Sequence, residues 1–403
     1  MKRLFITGVS LVLLVALTVP ATAMTKIGGI LFTDFYYLQR DKDNAYDLGL
    51  GNRISPYNVT AIQIPNITRL YARWTNEDNV GMYIELGLGQ NSGAVDESSS
   101  DRVELRHAYG WWDVTPTIQI LAGKTTTPFS PLYPSQLLGT RSGTYNVIGA
   151  GYGDFYSGRV PQVRGTFRFN ENIRLAVALV DPNGVADRVG EYGPWEDEDL
   201  YDYQGSTRIP RIDIGLPIYV APVHIYPSFL YQHRTVDRVG SWTTNMDDSL
   251  DTYVGSLGIK TGFGPLGFSA EGNWGRNWGN TACLIGYSYP AVFAGAMVGD
   301  NGRINNAETY SFWFDLSYRL GPVTPHLIYG EMRTKNKYHD IDVETDSQMF
   351  GFSIPIDVAK GFRIRPELMW YDDGDIKFHE AGQGYSEGIG RYAIYGVQFQ
   401  ITF

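Results

Sequence analysis

Tyr395-Gly396-Val397-Gln398-Phe399-Gln400-Ile401-Thr402-Phe403 ends the chain, with large apolar side chains on odd positions and amides and a hydroxyl on even ones. A period of two is the pattern of a strand with one apolar face. The same alternation runs through 79–90, where Met82, Ile84, Leu86 and Leu88 alternate with Tyr83, Glu85, Gly87 and Gly89. In 159–169, Val163, Phe167 and Phe169 oppose Gln162, Arg164, Thr166 and Arg168. Phe362, Ile364, Leu368 and Trp370 oppose Arg363, Arg365 and Glu367, and Tyr310, Phe312, Phe314, Leu316 and Tyr318 oppose Ser311, Asp315, Ser317 and Arg319.

Working outward, this pattern gives sixteen segments: 28–40, 64–75, 79–90, 101–113, 116–125, 159–169, 172–180, 206–215, 222–234, 249–262, 265–276, 305–320, 322–334, 344–356, 361–373 and 386–403. The links between them alternate in length. Short links such as 76–78, 114–115, 170–171, 216–221, 263–264, 321 and 357–360 take turns with long polar ones at 41–63, 91–100, 126–158, 181–205, 235–248, 277–304, 335–343 and 374–385. Membrane barrels have this asymmetry, with tight periplasmic turns and longer external loops.

Alternation says only that each strand is half buried; the charges decide which half. A soluble barrel keeps its apolar residues inside, but the second faces here carry many Arg, Glu and Asp. Lipid outside and water inside satisfy both faces, and closure pairs every backbone group that hydrocarbon would leave unsatisfied. Sixteen strands enclose an aqueous lumen. The expected fold is therefore an all-β transmembrane antiparallel barrel spanning 24–403.

Residues 1–23 read as an export signal: Lys2 and Arg3, an apolar run from Leu4 to Val19, then Ala21-Thr22-Ala23. Beyond them no stretch approaches the ~18 apolar residues of a membrane helix. The 28 Tyr, 19 Phe, 9 Trp and 46 Gly suit a barrel with aromatic girdles, for which Trp74, Trp111, Trp112, Trp313, Trp370, Tyr371 and Tyr395 stand near strand ends. Trp313 has the wrong parity and sits with Ser311 and Asp315. The net charge of −10 argues against nucleic acid as a partner, since phosphate binding wants an excess of basic residues. The single Cys283 forms no internal disulfide.

The export signal, the strand count, the terminal aromatic of 395–403 and a long third external loop together resemble the trimeric porins of Gram-negative outer membranes. The resemblance is architectural and spans the mature chain. It implies an outer-membrane homotrimer surrounded by lipid and lipopolysaccharide, through which small hydrophilic solutes diffuse passively. It also implies that Phe403 belongs to the signal read by the barrel-assembly machinery. The third loop, 126–158, has 33 residues, with Pro128, Pro131, Pro134 and the run Gly149-Ala150-Gly151-Tyr152-Gly153-Asp154. In the resembling proteins it folds into the barrel and narrows it; an external flap is the other reading. Its carboxylate is Asp154, with Arg141 for balance, which departs from the several carboxylates of cation-preferring members.

Parity places twelve basic residues inward: Arg69, Arg73, Arg102, Arg106, Arg164, Arg168, Arg174, Arg211, Lys260, Arg319, Arg363 and Arg365. Six acids join them: Glu85, Glu104, Asp213, Glu271, Asp315 and Glu367. The first seven arginines lie on strands two, four, six and seven and form one basic wall. Fixed positive charge beside a narrow passage concentrates anions, so a weak anion preference is expected; simple pairing with Glu85, Glu104 and Glu367 is the alternative. A dedicated phosphate or sugar channel and a structural or adhesive barrel are the other readings. The acidic run 196–199 is either a solvated charge cluster or a Ca²⁺ or Mg²⁺ site.

Catalysis has little support. His107 shares parity with Val103, Leu105 and Tyr109 and is expected on the lipid face, without the Ser that a lipase dyad needs. His224, His233, His326, His339 and His379 lack metal-ligand spacing. No metal, cofactor or enzymatic activity is expected.

Overall fold

A computed structural model describes residues 24–41, 58–91, 100–138, 150–182, 203–206, 209–238, 249–281, 289–298, 304–338, 341–380, 383–388 and 390–403. They form one closed antiparallel barrel of sixteen strands. The first half comprises β1 (Met24–Arg40), β2 (Asn58–Gln63 and Arg69–Thr75), β3 (Val80–Asn91), β4 (Ser100–Thr115), β5 (Ile118–Thr126), β6 (Arg159–Arg168), β7 (Arg174–Val180) and β8 (Tyr203–Ser206, Arg211–Gly215 and Ile218–Val220). The second comprises β9 (Val223–Arg238), β10 (Ser249–Phe263), β11 (Leu266–Arg276), β12 (Glu308–Tyr318) and β13 (His326–Tyr338). It ends with β14 (Ile341–Ser353 and Ile356–Ala359), β15 (Phe362–Asp372 and Asp375–Glu380) and β16 (Gln383–Gly388 and Arg391–Thr402).

The terminal segment closes the sheet. Ile30 pairs with Thr402 and Arg40 with Tyr392, in unbroken register between. Its apolar face points out: Phe35, Leu257, Phe312, Phe350, Phe399 and Ile401 are 38–51% exposed, whereas Asp34, Gln398 and Glu271 are at most 1% exposed. An apolar belt of this extent is stable only against lipid. The barrel is built to span a bilayer.

Several predicted boundaries move. Strand β8 continues past Gly215, because Ile218–Val220 pairs with Val223, His224 and Ile225, so the turn is Ala221-Pro222 rather than 216–221. The predicted loops 335–343 and 374–385 contain strand instead. There Lys335–Glu344 and Lys337–Asp342 pair across the β13–β14 ladder, and Asp375–Glu380 pairs with Gln383–Gly388. Alternating opposite charges support an exposed hairpin as apolar pairs support a buried one.

Strand β2 is split at 64–68, where Pro65 cannot donate to a ladder. Thr68 fills the gap with its side chain. The Phe32 amide donates to Thr68 Oγ1 at 3.0 Å, and that hydroxyl donates to the Phe32 carbonyl at 3.3 Å. Residues 1–23, expected to be an export signal, and Arg141, Cys283 and the acidic run 196–199 lie outside the described residues.

Candidate permeation pathway

The described limbs of the third loop, L3 (127–138 and 150–158), lie inside the barrel against one sector of wall. Its outgoing limb is held by three interior carboxylates on successive parts of the sheet. Glu271 on β11 accepts from Ser130 Oγ and, at 3.4 Å, from the Leu132 amide. Asp315 on β12 accepts from the Ser135 amide at 3.0 Å. Glu367 on β15 accepts from the Leu137 amide at 2.9 Å and from the Leu138 amide. The returning limb gives the carbonyls of Gly151 and Gly153 to Ser347 and Ser311 at 2.6 and 2.7 Å, and Tyr152 Oη donates to Asp373. Gly330 makes that approach possible, since a Cβ there would stand 2.0 Å from the Tyr152 carbonyl oxygen.

Apolar packing completes this sector. Leu138 and Tyr152 of L3 join Trp313, Ile328, Met349, Met369, Tyr371 and Tyr392. Trp313 thus faces inward because it packs beneath L3. A second loop, the sixth external one, stacks on the first: Phe155 meets Trp278 edge-to-face at 4.7 Å. Asn336 donates to the Phe293 and Gly295 carbonyls at 2.7 and 2.8 Å, and Thr334 to that of Pro290 at 2.9 Å.

The opposite wall, β2 to β7, carries the arginines. A bulge in the β3–β4 ladder organises its centre. Glu85 pairs with His107 and Leu86 with Leu105, leaving Arg106 unpaired. Bulges re-aim side chains, and here Arg106 and His107 both point inward. Arg106 Nε donates to Glu85 Oε1 at 2.7 Å, and its NH1 to the Asn66 carbonyl at 3.1 Å. The β2 interruption supplies that carbonyl. It lays Asn66 over Gly87 and Gly89, where a Cβ would come within 3.1 and 2.9 Å of it. Tyr83 Oη donates to Glu85 Oε2 at 2.6 Å, with Arg69 Nε 3.7 Å from the same oxygen.

No protein-family model matches this chain and no curated protein matches it in sequence. Solved structures match it along nearly its whole length. The outer membrane channel DcaP of Acinetobacter baumannii superposes with a TM-score of 0.64 at 16% identity, covering 96% of this chain and 99% of that one. An anion-selective porin from Comamonas acidovorans gives 0.56 at 14% identity, over 94% and 100% of the two chains. The chain has the porin fold. The trimer form of OmpT of Vibrio cholerae shares it, with a TM-score of 0.55 at 11% identity over 95% of this chain and 100% of that one.

Within this porin fold the predicted site residues separate. Arg69, Arg73, Arg106, Arg164, Arg168 and Arg174 share the interior wall with Glu85 and Glu104. Arg164 donates to the Thr126 carbonyl at 3.3 Å, and Arg168 pairs with Asp113 at 3.0 Å. Arg73 lies over the Trp111 ring at 5.0 Å and Arg174 over Tyr219 at 5.3 Å. The Arg102 side chain lies outside the described residues.

Four expectations are corrected. Asp154 does not line the passage; it is 2% exposed, on the buried side of a turn between Gly153 at φ 118° and the wall. Among the described residues its oxygens have no side-chain donor, and the Phe155 amide only partly offsets the burial. Burial, reinforced by Glu271, holds its carboxyl well above the usual range and favours the neutral acid. His107 faces the lumen instead of lipid, because the bulge inverts the parity that Val103 and Leu105 set. Trp111 follows it inward, and Tyr371 is buried inside rather than in the girdle.

The sequence reading also missed a motif and a residue. Gly384-Tyr385-Ser386-Glu387-Gly388 spells the G-x-S-x-G of serine hydrolases, which needs a strand-to-helix elbow. Here it lies along Gln383–Gly388, paired with Asp375–Glu380, and that context is absent. Arg159, first residue of β6, is missing from the basic residues that parity places inward; its guanidinium sits over Tyr156 at 5.6 Å and joins the basic wall. Its place directly after Gly158, at φ 71°, was the available signal.

Proposed function

We propose that this chain is an outer-membrane porin. Small hydrophilic solutes and ions diffuse passively through a water-filled passage between L3 and the β2–β7 wall, with a weak preference for anions. The carrying observation is the distribution of charge. Glu271, Asp315 and Glu367 are occupied in fastening L3, and Asp154 is buried, while on the facing wall the arginines outnumber Glu85, Glu104 and Asp113. Arginine stays charged and binds carboxylate and phosphate bidentately. The anion selectivity of the Comamonas porin, which has the same fold, supports the reading. L3 acts as the constriction, and residues 1–23 as the export signal.

A homotrimer is supported by the trimer form of OmpT and by the outer surface itself. Apart from Trp112 near a turn, outward residues of β2 to β5 are mainly aliphatic or small, such as Ile62, Leu70, Val103, Ala108, Gly110 and Ala122. Those of β11 to β15 are rich in rings, such as Trp274, Phe312, Phe350 and Trp370. The first face suits a second subunit; the second suits lipid and lipopolysaccharide. Phe403 at the closing strand serves the barrel-assembly machinery.

Planar-bilayer recording in a potassium chloride gradient tests the function. Stepwise conductance with a reversal potential on the anion side is expected, and a clear cation preference would refute the selectivity. A narrower, substrate-specific channel for phosphate, another anion or a sugar is favoured by one feature, the sixth loop stacked on L3. Competition of chloride flux by a single solute class would establish it.

A further inference from the structure

His107 occupies a position that its neighbours restrict to one protonation state. Arg159 Nε donates to His107 Nε2 at 3.0 Å. A guanidinium only donates, so Nε2 holds a lone pair and Nδ1 carries the ring proton. Nδ1 in turn lies 2.9 Å from Thr125 Oγ1, which accepts it. The ring is boxed edge-on by Tyr83 at 5.7 Å and Tyr109 at 6.2 Å, which fix its orientation. Glu85 from β3, Arg106 from the same strand, Arg69 from β2 and Arg159 from β6 are the charged groups acting on it.

We propose that His107 is a positioning residue that fixes Arg159 in the basic wall, and that protonating it releases Arg159 and raises the anion preference of the passage. The proposal rests on the porin reading. An imidazolium has no lone pair on Nε2 and cannot accept from Arg159. Two cations would then face each other across a hydrogen-bond distance, and Glu85 is already engaged by Arg106 and Tyr83. Arg159 follows Gly158 at the exit of L3, so the residue that moves is the one where the loop rejoins the wall. Acidification therefore adds a positive charge at His107 and frees a second at Arg159. The histidine is available for this only because the β3–β4 bulge turns it from the lipid face to the lumen.

The test compares wild type, H107Q and H107F in bilayers with a potassium chloride gradient. Glutamine retains an oxygen to accept from Arg159 and an N–H for Thr125, but does not titrate; phenylalanine keeps the ring and loses both functions. Between about pH 7.5 and about pH 4 the wild-type anion-to-cation permeability ratio should rise about two- to fivefold more than that of H107Q. That is the scale of one unit charge acting across ~4 Å of water. The H107Q profile removes the contribution of titrating carboxylates. H107F should show the raised ratio already at neutral pH. A wild-type profile that parallels H107Q, or an H107F ratio equal to that of H107Q at neutral pH, overturns the role of His107 and leaves the channel intact. A wild type that inserts without conducting overturns the porin reading itself.

Discussion

Replacing Glu367 by glutamine should loosen one end of L3 without unfolding the barrel. The side chain is fully buried, accepts from the Leu137 amide at 2.9 and 3.0 Å, from the Leu138 amide and from Ser353 Oγ at 2.7 Å, and stands 3.8 Å from Arg365. Glutamine keeps the shape but removes the charge and replaces one acceptor by a donor. Hydrogen bonds to a charged group are worth about 1.5–3 kcal/mol and neutral ones about 1 kcal/mol. Weakening two main-chain bonds, and setting an amide N–H against one of their donors, costs about 2–4 kcal/mol in docking. At 1.4 kcal/mol per tenfold, the undocked state of 137–138 gains about 30- to 700-fold in population. Glu271 and Asp315 still hold 130–135, so the loop peels from one end. Single-channel recording should show increased open-channel noise, and limited proteolysis of the folded barrel should cleave L3 faster. A variant that keeps its folded gel mobility, with wild-type noise and cleavage rate, would refute the assignment of Glu367 as an anchor.

Gly330→Ala should shift the returning limb, because the added methyl would meet the Tyr152 carbonyl oxygen at 2.0 Å; overpacking of this kind costs about 1–3 kcal/mol. The thermal midpoint should fall, while Gly272→Ala, with its nearest atom at 3.9 Å, should leave it unchanged. Asp154→Asn tests the buried acid by pH. Its folded value is raised above the unfolded one near 4, so the neutral acid favours folding below that pH and the advantage is lost as pH rises. The wild-type midpoint should drop on going to neutral pH, and the variant should lack that part of the drop. Removing Phe403 deletes two main-chain bonds to Gly29, at 3.1 and 3.2 Å, and should cost in-vitro stability only about 1–3 kcal/mol. If it serves assembly, the yield in cellular outer membranes should fall far more than that loss explains.

The fold was legible because lipid imposes it on every strand. A period of two with charges on one face admits few solutions, and residues 395–403 already show the parity that the closing β1–β16 ladder uses. The same rule gives Arg73, Arg164 and Arg168 the parity of the charged face on which they stand. The rule failed at His107 and Trp111, because one extra residue in a ladder inverts every side chain beyond it, and Arg106-His107 has no composition that announces a bulge. Asp154 was misplaced for a related reason. A turn between glycines carries no parity, and which side of it meets the wall depends on strands more than a hundred residues away.

Local periodicity and the alternation of link lengths thus determined a transmembrane barrel with a charged interior, since each is a property of neighbouring residues. What Glu271, Asp315 and Glu367 do was decided only when the sheet closed. Sequence records them as interior acids; closure sets all three along the path of a loop that begins on a distant strand. The proposed anion preference rests on that occupancy, because a carboxylate fastening L3 is no longer displayed to a solute.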